Sequence, residues 1–192
     1  RALSADTLRE RLYLGAEPVL RLTLDEAWAA DGVTLADASG WEHDGVLYTG
    51  ADDMNKATAG AVGDSSLYLD GVDDYVAVGP QAGLLPGSRF SVAAWVYPSP
   101  EDVSSYPILG SDAYTDTRYT YPALQVINRN VLVGGFGNGT QPLVTYTTAA
   151  LTENAWNHVA ATFDSVTYSL YVNGEQRAST TAFAGQHPTS PS

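Results

Sequence analysis

Hydrophobic and polar residues alternate with a period of two along several short segments of this chain. The alternation is clearest in residues 66–78, 90–98 and 156–174. A period of two is typical of β-strands, because successive side chains of a strand point to opposite faces of a sheet. The same pattern predicts six further strands: Val19–Leu24, Val46–Tyr48, Pro107–Gly110, Ala123–Ile127, Val131–Phe136 and Leu143–Thr147. Turn-forming residues separate the strands and no strong amphipathic helix lies between them, so we predict an all-β, antiparallel β-sandwich of the jelly-roll type.

Two of these segments carry the residues that make tight turns between strands. Residues 67–78 read as a hairpin whose turn is Asp70–Gly71, because glycine takes a positive φ without steric cost. Residues 156–172 read as a second strand pair, and Asn173–Gly174 makes the turn that follows it. The alternation also places two tryptophans in or near the core: Trp95 and Trp156.

The two ends of the chain differ from its middle. Residues 4–13 predict a short N-terminal helix, because Ser4 is a good N-cap and Leu8 and Leu12 lie one turn apart. The C-terminal residues are rich in Ser, Thr, Ala and Pro, which is typical of a linker. We therefore expect three segments: residues 1–18 as helix and linker, residues 19–179 as the sandwich domain, and residues 180–192 as a tail.

Composition narrows the possible partners. The chain has 192 residues, a net charge of −13 and Lys56 as its one lysine. This charge argues against nucleic acid as a partner, because nucleic acid is bound by clustered Lys and Arg. It favours a cationic or neutral polar partner or a divalent metal. The alternative is that acidity only keeps an extracellular surface soluble. The chain has no cysteine, and it has no stretch of about 18 apolar residues, so membrane insertion is not expected.

Six motifs occur in a fixed order along the chain. They are Leu22–Glu26, Asp37–Gly40 with Asp44–Gly45, Leu69–Val76, Phe90–Val96, Trp156–Ala160 and Leu170–Gly174. In this order they resemble the laminin G-like, concanavalin A-like jelly-roll family of bacterial extracellular proteins. The resemblance covers roughly residues 19–178 and implies two packed antiparallel sheets, one of them concave. It also implies an extracellular or cell-surface module for adhesion or carbohydrate binding, and calcium is held by many relatives.

The resemblance is incomplete at both ends of the chain. Such domains usually have a strand after the turn that matches Asn173–Gly174, then a Gly-rich acidic strand, and neither is evident here. Conversely, Arg1–Asp6 looks like the segment that follows that last strand in a preceding unit. We therefore expect either a window on a tandem array or a subunit whose missing strand comes from a neighbouring copy of the same protein.

Calcium is the cofactor that the acidic loops suggest. It takes about six to eight oxygen ligands from carboxylates, amides and backbone carbonyls. The resemblance matches Asp112, in the loop after the strand that ends near Leu109, to a calcium ligand of relatives. A second candidate site uses Asp25 with Asp73 or Asp74. Alternatively, Asp73 and Asp74 are turn residues that bond to their own backbone.

Aromatic and polar residues in one loop region suggest a glycan site. Sugars stack on aromatic rings and bond to polar side chains. The candidates are Tyr114, Asp116, Arg118, Tyr119 and Tyr121. The alternative is that these side chains pack under the loop or against a neighbouring subunit. Asn138–Gly139–Thr140 is an N-glycosylation sequon in a turn, which makes Asn138 a candidate glycosylation site.

Catalysis is not expected. Related jelly-roll glycosidases carry two carboxylates on one strand, about 5 Å apart in retaining enzymes, and no predicted strand here has Asp or Glu at alternate positions. His158 is expected to be a packed or solvent-facing strand residue rather than a general base. The sequence predicts a non-enzymatic adhesion or carbohydrate-binding module of a larger bacterial surface protein. The alternative is a structural subunit of an extracellular filament, completed by a strand from its neighbour.

Overall fold

The computed structural model describes residues 18–26, 29–50, 57–79, 87–99, 105–110 and 122–189. The chain divides into two compact units, residues 1–84 and 85–192. In the described residues every regular element is a β-strand and every strand pairing is antiparallel. The helix predicted over residues 4–13 lies outside them. None of the described ranges contains a helix long and apolar enough to cross a membrane.

In its described residues the first unit contains five short strands. They are β1 (Thr34–Leu35), β2 (Gly45–Tyr48), β3 (Ala57–Thr58), β4 (Ser66–Leu67) and β5 (Tyr75–Val78). β1, β2 and β5 form one sheet in that order, and β3 pairs with β4. Apolar side chains of the sheet and its neighbouring loops make a small core: Leu22, Leu24, Ala29, Val33, Leu35, Leu47, Leu67 and Val76.

The prediction that residues 67–78 form a hairpin is wrong. β4 and β5 flank Asp70–Gly71, but β4 pairs with β3 and β5 pairs with β2. The turn itself was correctly predicted, because Gly71 has a φ of 77° and the Val72 N–H donates to Asp70 Oδ1 at 2.8 Å. A turn reverses the chain without choosing the partner strands. That choice depends on which pairing buries the apolar face of each strand.

The strand predicted at Val19–Leu24 is reduced to a single bridge between Leu22 and Asp37. Leu24 has a φ of 55°, which interrupts the extended conformation. The predicted alternation is still confirmed, because Leu20, Leu22 and Leu24 are half-buried and the residues between them are exposed. The leucine face therefore packs inward without a continuous strand ladder.

The carboxylate of Asp37 holds this segment in place with four hydrogen bonds. Its Oδ1 accepts from the backbone N–H groups of Arg21 at 2.8 Å and Ser39 at 2.9 Å. Its Oδ2 accepts from the Ser39 hydroxyl at 2.5 Å and the His43 N–H at 3.0 Å. Burial by itself would raise the pKa of Asp37, but these bonds outweigh it and hold the pKa well below its usual range.

The described residues of the second unit form eight strands in two four-stranded sheets. They are β6 (Phe90–Val96), β7 (Ser105–Leu109), β8 (Ala123–Ile127), β9 (Val131–Gly137), β10 (Pro142–Tyr146), β11 (Asn157–Phe163), β12 (Tyr168–Val172) and β13 (Glu175–Thr180). The sheet orders are β10-β9-β8-β7 and β13-β12-β11-β6. One core takes side chains from both sheets, so this unit is a β-sandwich. The predicted strand positions over residues 90–96 and 123–172 are confirmed to within a few residues.

A strand that the sequence analysis did not find follows the Asn173–Gly174 turn. Asn173 and Gly174 have φ values of 52° and 82°, the positive values that a two-residue hairpin turn requires. The chain then returns as β13, which pairs with β12. β13 was missed because its residues are almost all polar, and a strand with one exposed face and few apolar residues gives a weak alternation. Beyond it, Phe183 is 3% exposed and belongs to the sandwich core.

The centre of this core is aromatic. The Phe136 ring lies 5.2 Å from Phe163, 5.6 Å from Phe183 and 5.8 Å from Phe90, measured between ring centroids. Tyr168 is fully buried beside them, and within the described part of the chain its hydroxyl has no hydrogen-bond partner. Burial raises the pKa of Tyr168, so the phenol stays protonated.

Candidate functional site

The sheet β10-β9-β8-β7 has one face toward the core and one face turned away from it. Alternate residues of β8, β9 and β10 enter the core, including Leu124, Val126, Leu132, Phe136 and Leu143. The residues between them point the other way, because neighbours along a strand alternate. We call this second set the outer face, and its described members are Ser105, Pro107, Ala123, Gln125, Ile127, Val131, Val133, Gly135, Gly137, Pro142, Val144 and Tyr146.

Four of these residues form one row across all four strands. Gln125 is paired with Pro107 on one side and with Val133 on the other, and Val133 is paired with Tyr146. Residues that are directly paired in a sheet have their side chains side by side on one face. The row therefore runs from a proline through an amide and an apolar side chain to a tyrosine at the β10 edge.

The Gln125 amide is the most unusual group of the row. Its side chain is only 2% exposed. The Nε2 group donates to the Ser105 hydroxyl at 2.6 Å, whereas the buried Oε1 atom has no hydrogen-bond partner among the described residues. An unpaired buried amide oxygen costs about 1–3 kcal/mol, so native structures rarely keep one without a reason.

A small depression lies at this point of the outer face, and its lining side chains Ala123, Gln125 and Val133 are buried. It is lined mainly by Gln125 and small or apolar residues, and it has room for about one water-sized group. Gly135 contributes no side chain to it. The Tyr146 side chain, next to Val133 in the same row, is 67% exposed. The geometry therefore combines an exposed aromatic ring with a small cavity that contains an unused hydrogen-bond acceptor.

Sequence reasoning did not find either residue. Gln125 lies in the predicted strand Ala123–Ile127, where it is the single polar side chain among apolar ones, and this was the available signal. Tyr146 gave no signal of its own, since exposed tyrosines are common. The predicted glycan residues, Tyr114 to Tyr121, lie outside the described residues, in the segment that joins β7 to β8.

A second group of functional interest is an acidic cluster in the first unit. Asp70, Asp73 and Asp74 each place one carboxylate oxygen within 4.8 Å of the others. Some of these carboxylates also support the turn: Asp70 Oδ1 accepts from the Val72 N–H, and Asp74 Oδ2 accepts from the Asp70 N–H at 2.7 Å. Three carboxylates at this spacing could hold a metal ion, and hard oxygen donors suit calcium or magnesium.

The other two predicted metal ligands are not part of this cluster. Asp25 Oδ1 accepts from the backbone N–H groups of Asp64 and Ser65, both at 2.7 Å, so this carboxylate holds a neighbouring turn. Asp112 lies outside the described residues. The structure therefore brings together Asp73 and Asp74, adds Asp70, and leaves Asp25 in a separate contact.

The candidate glycosylation site lies in the turn between β9 and β10. Asn138 Oδ1 accepts from the Thr140 N–H at 3.0 Å, the Thr140 hydroxyl at 2.8 Å and the Gln141 N–H at 2.9 Å. The Asn138 Nδ2 group donates to Gln186 Oε1 at 2.9 Å. A sugar attached at Nδ2 would compete with this last contact.

Trp95 is not a core residue, contrary to the prediction. Its side chain is 45% exposed, on the face of β6 opposite Phe90 and Val96, and its ring lies 5.2 Å from His158 in an edge-to-face arrangement. Burial lowers the pKa of His158. This histidine is half-buried against the tryptophan, as expected for a packed strand residue, and Trp156 is half-buried.

The described strands offer no pair of carboxylates for glycoside hydrolysis. Glu175, at the start of β13, is the single acidic residue in the thirteen strands of the described residues. Its Oε2 atom lies 2.8 Å from Nη2 of Arg177, and both side chains are exposed. A retaining or inverting glycosidase needs two carboxyl groups on opposite sides of the scissile bond. No described strand presents that arrangement.

The sequence was compared with protein families and with proteins of known structure. A laminin G-type model of the Concanavalin A-like lectin/glucanases superfamily matches residues 70–192, more than half of the chain. The chain therefore belongs to this superfamily, and the predicted family resemblance is confirmed. No curated protein matches the chain.

Three solved structures show similarity of limited extent. An S-layer domain-containing protein from Clostridium thermocellum is 26% identical, with a TM-score of 0.47 over 86% of this chain and 73% of that one. A sialidase CBM40 from Ruminococcus gnavus, bound to α2,3-sialyllactose, is 17% identical, with a TM-score of 0.44 and coverages of 53% and 57%. A carbohydrate-binding protein described from Bacteroides ovatus is 18% identical, with a TM-score of 0.46 and coverages of 77% and 43%.

Proposed function

We propose that this protein is a non-catalytic jelly-roll module of a bacterial extracellular or cell-surface protein, and that it binds a glycan on the outer face. The observation that carries this proposal is the Gln125 amide oxygen, which is buried and unpaired at a depression, in the same cross-strand row as the exposed Tyr146 side chain. Membership of a superfamily named for lectins and glucanases supports the same class of ligand.

The chemistry of a sugar matches both features. A pyranose ring has an apolar face of C–H groups that packs against an aromatic ring, and hydroxyl groups around its edge that donate hydrogen bonds. A sugar lying against Tyr146 could direct one hydroxyl into the depression, where that hydroxyl would donate a hydrogen bond to Gln125 Oε1. This hydrogen bond would pair the buried oxygen. The free-energy penalty of leaving that oxygen unpaired is relieved on binding and so favours the bound state.

A binding role is favoured over catalysis because the outer face lacks acidic residues among its described members. Sugar binding without bond cleavage needs an aromatic surface and hydrogen-bonding groups, and both are present. Hydrolysis needs a general acid with a second carboxylate. We therefore expect purified protein to bind glycans without releasing reducing sugar from them.

Replacing Tyr146 by alanine tests the binding face. We expect glycan affinity to fall about five- to tenfold, because loss of an aromatic contact costs about 1–1.5 kcal/mol. The measurement is binding to a glycan array, followed by titration calorimetry with the best ligand. Tyr97→Ala is the matched control, since Tyr97 is also half-exposed but follows β6 in the other sheet. Equal losses in the two variants, or no loss in Tyr146→Ala, would contradict the proposed site.

Calcium is proposed as a structural ion of the acidic cluster. Bound calcium would join the three carboxylates of Asp70, Asp73 and Asp74 and reduce their mutual repulsion. Asp25 and Asp112 remain sequence-based candidates for other calcium contacts. The five loop residues Tyr114, Asp116, Arg118, Tyr119 and Tyr121 likewise remain candidates for further glycan contacts, and Asn138 for glycosylation. Self-association through a donated strand also stays a prediction.

A thermal-shift experiment tests the calcium proposal. At calcium concentrations about 100-fold above the dissociation constant, binding should stabilise the protein by about 2.7 kcal/mol and raise its melting temperature by several degrees. Asp73→Asn should reduce this response, because Asp73 is an exposed member of the cluster. Asp64→Asn removes an exposed carboxylate from the same unit and should leave the response intact. A response unchanged in Asp73→Asn would place any calcium elsewhere.

A further inference from the structure

We propose that the hydroxyl of Thr49 is a further ligand of the calcium site, so that the ion links the end of β2 to the turn before β5. This inference rests on the calcium ion proposed above for Asp70, Asp73 and Asp74, and it deepens that proposal by naming what the ion holds together. Two described features outside the three aspartates support it: a buried hydroxyl without a partner and a glycine that makes room for a carboxylate.

The position of Thr49 follows from the register of β2 and β5. Tyr48 and Tyr75 form the last pair of the two strands. One step further along both segments places Thr49 opposite Asp74, with the two side chains on one face of the sheet. This is also the face of Leu47, which is fully buried. The Thr49 side chain therefore lies at the end of the sheet where the acidic turn meets β5.

The hydroxyl of Thr49 is held there without a hydrogen bond of its own. Thr49 is 0% exposed, and its Oγ1 atom has no hydrogen-bond partner in the part of the chain that the structure describes. The Thr49 N–H donates to Asp31 Oδ1 at 3.1 Å, which fixes the backbone at this point. Native structures rarely keep a buried hydroxyl unpaired without a reason. A cation at the acidic cluster would use the lone pairs of this oxygen.

Gly50, the next residue, brings a carboxylate of the cluster to the same end of β2. Gly50 has a φ of 59°, and a Cβ atom at this position would overlap the Asp73 carboxylate. The carboxylate therefore lies against the Gly50 backbone, in space that any other residue would fill. The Thr49 hydroxyl and the Asp73 carboxylate thus meet the end of β2 at consecutive positions.

The charge of the cluster favours a neutral group as its fourth ligand. Three carboxylates already carry more negative charge than a divalent ion neutralises, so a fourth would add repulsion. Calcium takes about six to eight oxygens, and a hydroxyl supplies one without adding charge. Its proton stays available for a hydrogen bond to a neighbouring carboxylate. An ion held in this way contacts β2 as well as the turn, so its removal should loosen this end of the sheet.

Calcium titration calorimetry on the 192-residue chain tests the ligand. Thr49→Val keeps the shape of the side chain but removes the oxygen, so calcium affinity should fall about tenfold. Thr49→Ser keeps the hydroxyl and should retain the wild-type affinity within about threefold. Thermal melts without calcium check that both variants fold. We expect Thr49→Val to be at least as stable as the wild-type protein there, because it removes an unpaired polar group.

Amide hydrogen exchange shows which segments the ion holds. In the wild-type protein, calcium should slow exchange both at residues 46–49 and at residues 70–74. In Thr49→Val at saturating calcium, the slowing should persist at residues 70–74 and be lost at residues 46–49. A packing role of Thr49 would not change this pattern, since it does not depend on calcium.

The two proposals fail in different ways. Unchanged calcium affinity in a folded Thr49→Val protein, together with reduced affinity in Asp73→Asn, would overturn the inference and leave calcium at the acidic cluster. If the wild-type chain binds no calcium, or if Asp73→Asn binds it equally well, the calcium site itself is wrong and the inference with it.

Discussion

Replacing Phe136 by alanine is expected to lower the free energy of unfolding of the second unit by about 3–5 kcal/mol, the largest effect of any single change considered for this chain. The Phe136 ring is buried and contacts three other phenylalanines and Tyr168. Alanine would remove this apolar surface and leave a cavity between the two sheets. Since neighbouring rings come from β6, β11 and β12 and from Phe183 beyond β13, they cannot all collapse into the space.

Trp95→Ala is the control for this prediction. Trp95 is the larger side chain, but 45% of it is exposed, and its described ring contact is with His158. We expect it to lower the free energy of unfolding by about 1 kcal/mol or less. Urea denaturation followed by circular dichroism measures both variants. A larger loss in Trp95→Ala than in Phe136→Ala would mean that the tryptophan side of β6 is covered and that the described core is incorrect.

Asp37→Asn is expected to destabilise the first unit by about 2–3 kcal/mol at neutral pH. The carboxylate accepts four hydrogen bonds. A hydrogen bond to a charged group contributes a net of about 1.5–3 kcal/mol, so the expected loss corresponds to about one such bond. An asparagine side chain keeps one oxygen but presents an amide N–H₂ where two donors now point. The Ser39 hydroxyl can rotate away from that group, whereas the backbone N–H of His43 cannot.

The same contacts predict how stability depends on pH. The four hydrogen bonds lower the pKa of Asp37 in the folded state, against the opposing effect of burial, while the unfolded value is about 3.9. The stabilisation is therefore fully present above pH about 4 and is lost as the pH falls toward the folded pKa. Thermal melts between neutral pH and pH about 2 should show this loss in the wild-type protein.

Two variants separate Asp37 from the other carboxylates. Asp37→Asn should show a smaller loss of stability over the acidic range, because its side chain does not titrate. Glu42→Gln also removes one negative charge, at an exposed position in the same turn. We expect its stability to depend on pH as that of the wild-type protein does. If the melting temperatures of Asp37→Asn and of the wild-type protein fall in parallel as the pH is lowered, the hydrogen bonds of Asp37 do not account for the loss of stability in acid.

The strands that the sequence predicted well are those in which the local pattern of alternation and turn residues matches the way the strand packs in the sheet. β11 and β12 alternate clearly, bury their apolar residues and are followed by an Asn–Gly turn that only a few residue types can form. Their positions and their pairing with each other could therefore be predicted. β13 could not be found in the same way, because its partner β12 supplies most of the apolar surface and its own residues are polar.

The acidic turn shows the opposite case. Asp70–Gly71 signalled a turn correctly, but the strands on its two sides pair with β3 and β2 rather than with each other. The pairing is decided by burial of side chains that are distant in sequence, such as Leu47 opposite Val76. Asp73 and Asp74 were predicted as metal candidates from their type alone. The structure places Asp70 beside them, within a turn whose backbone they also bond.

The sequence by itself determined the class of fold, the superfamily and most strand positions, because alternation and turn chemistry act between near neighbours. Only the tertiary structure decided that Trp95 is exposed, that β13 completes a sheet and that Gln125 is buried with an unpaired oxygen in a row with Tyr146. Gln125 and Tyr146 belong to different strands and share a row only through the register of β8, β9 and β10. Register and burial depend on the packing of whole sheets, and no short segment of sequence contains that information.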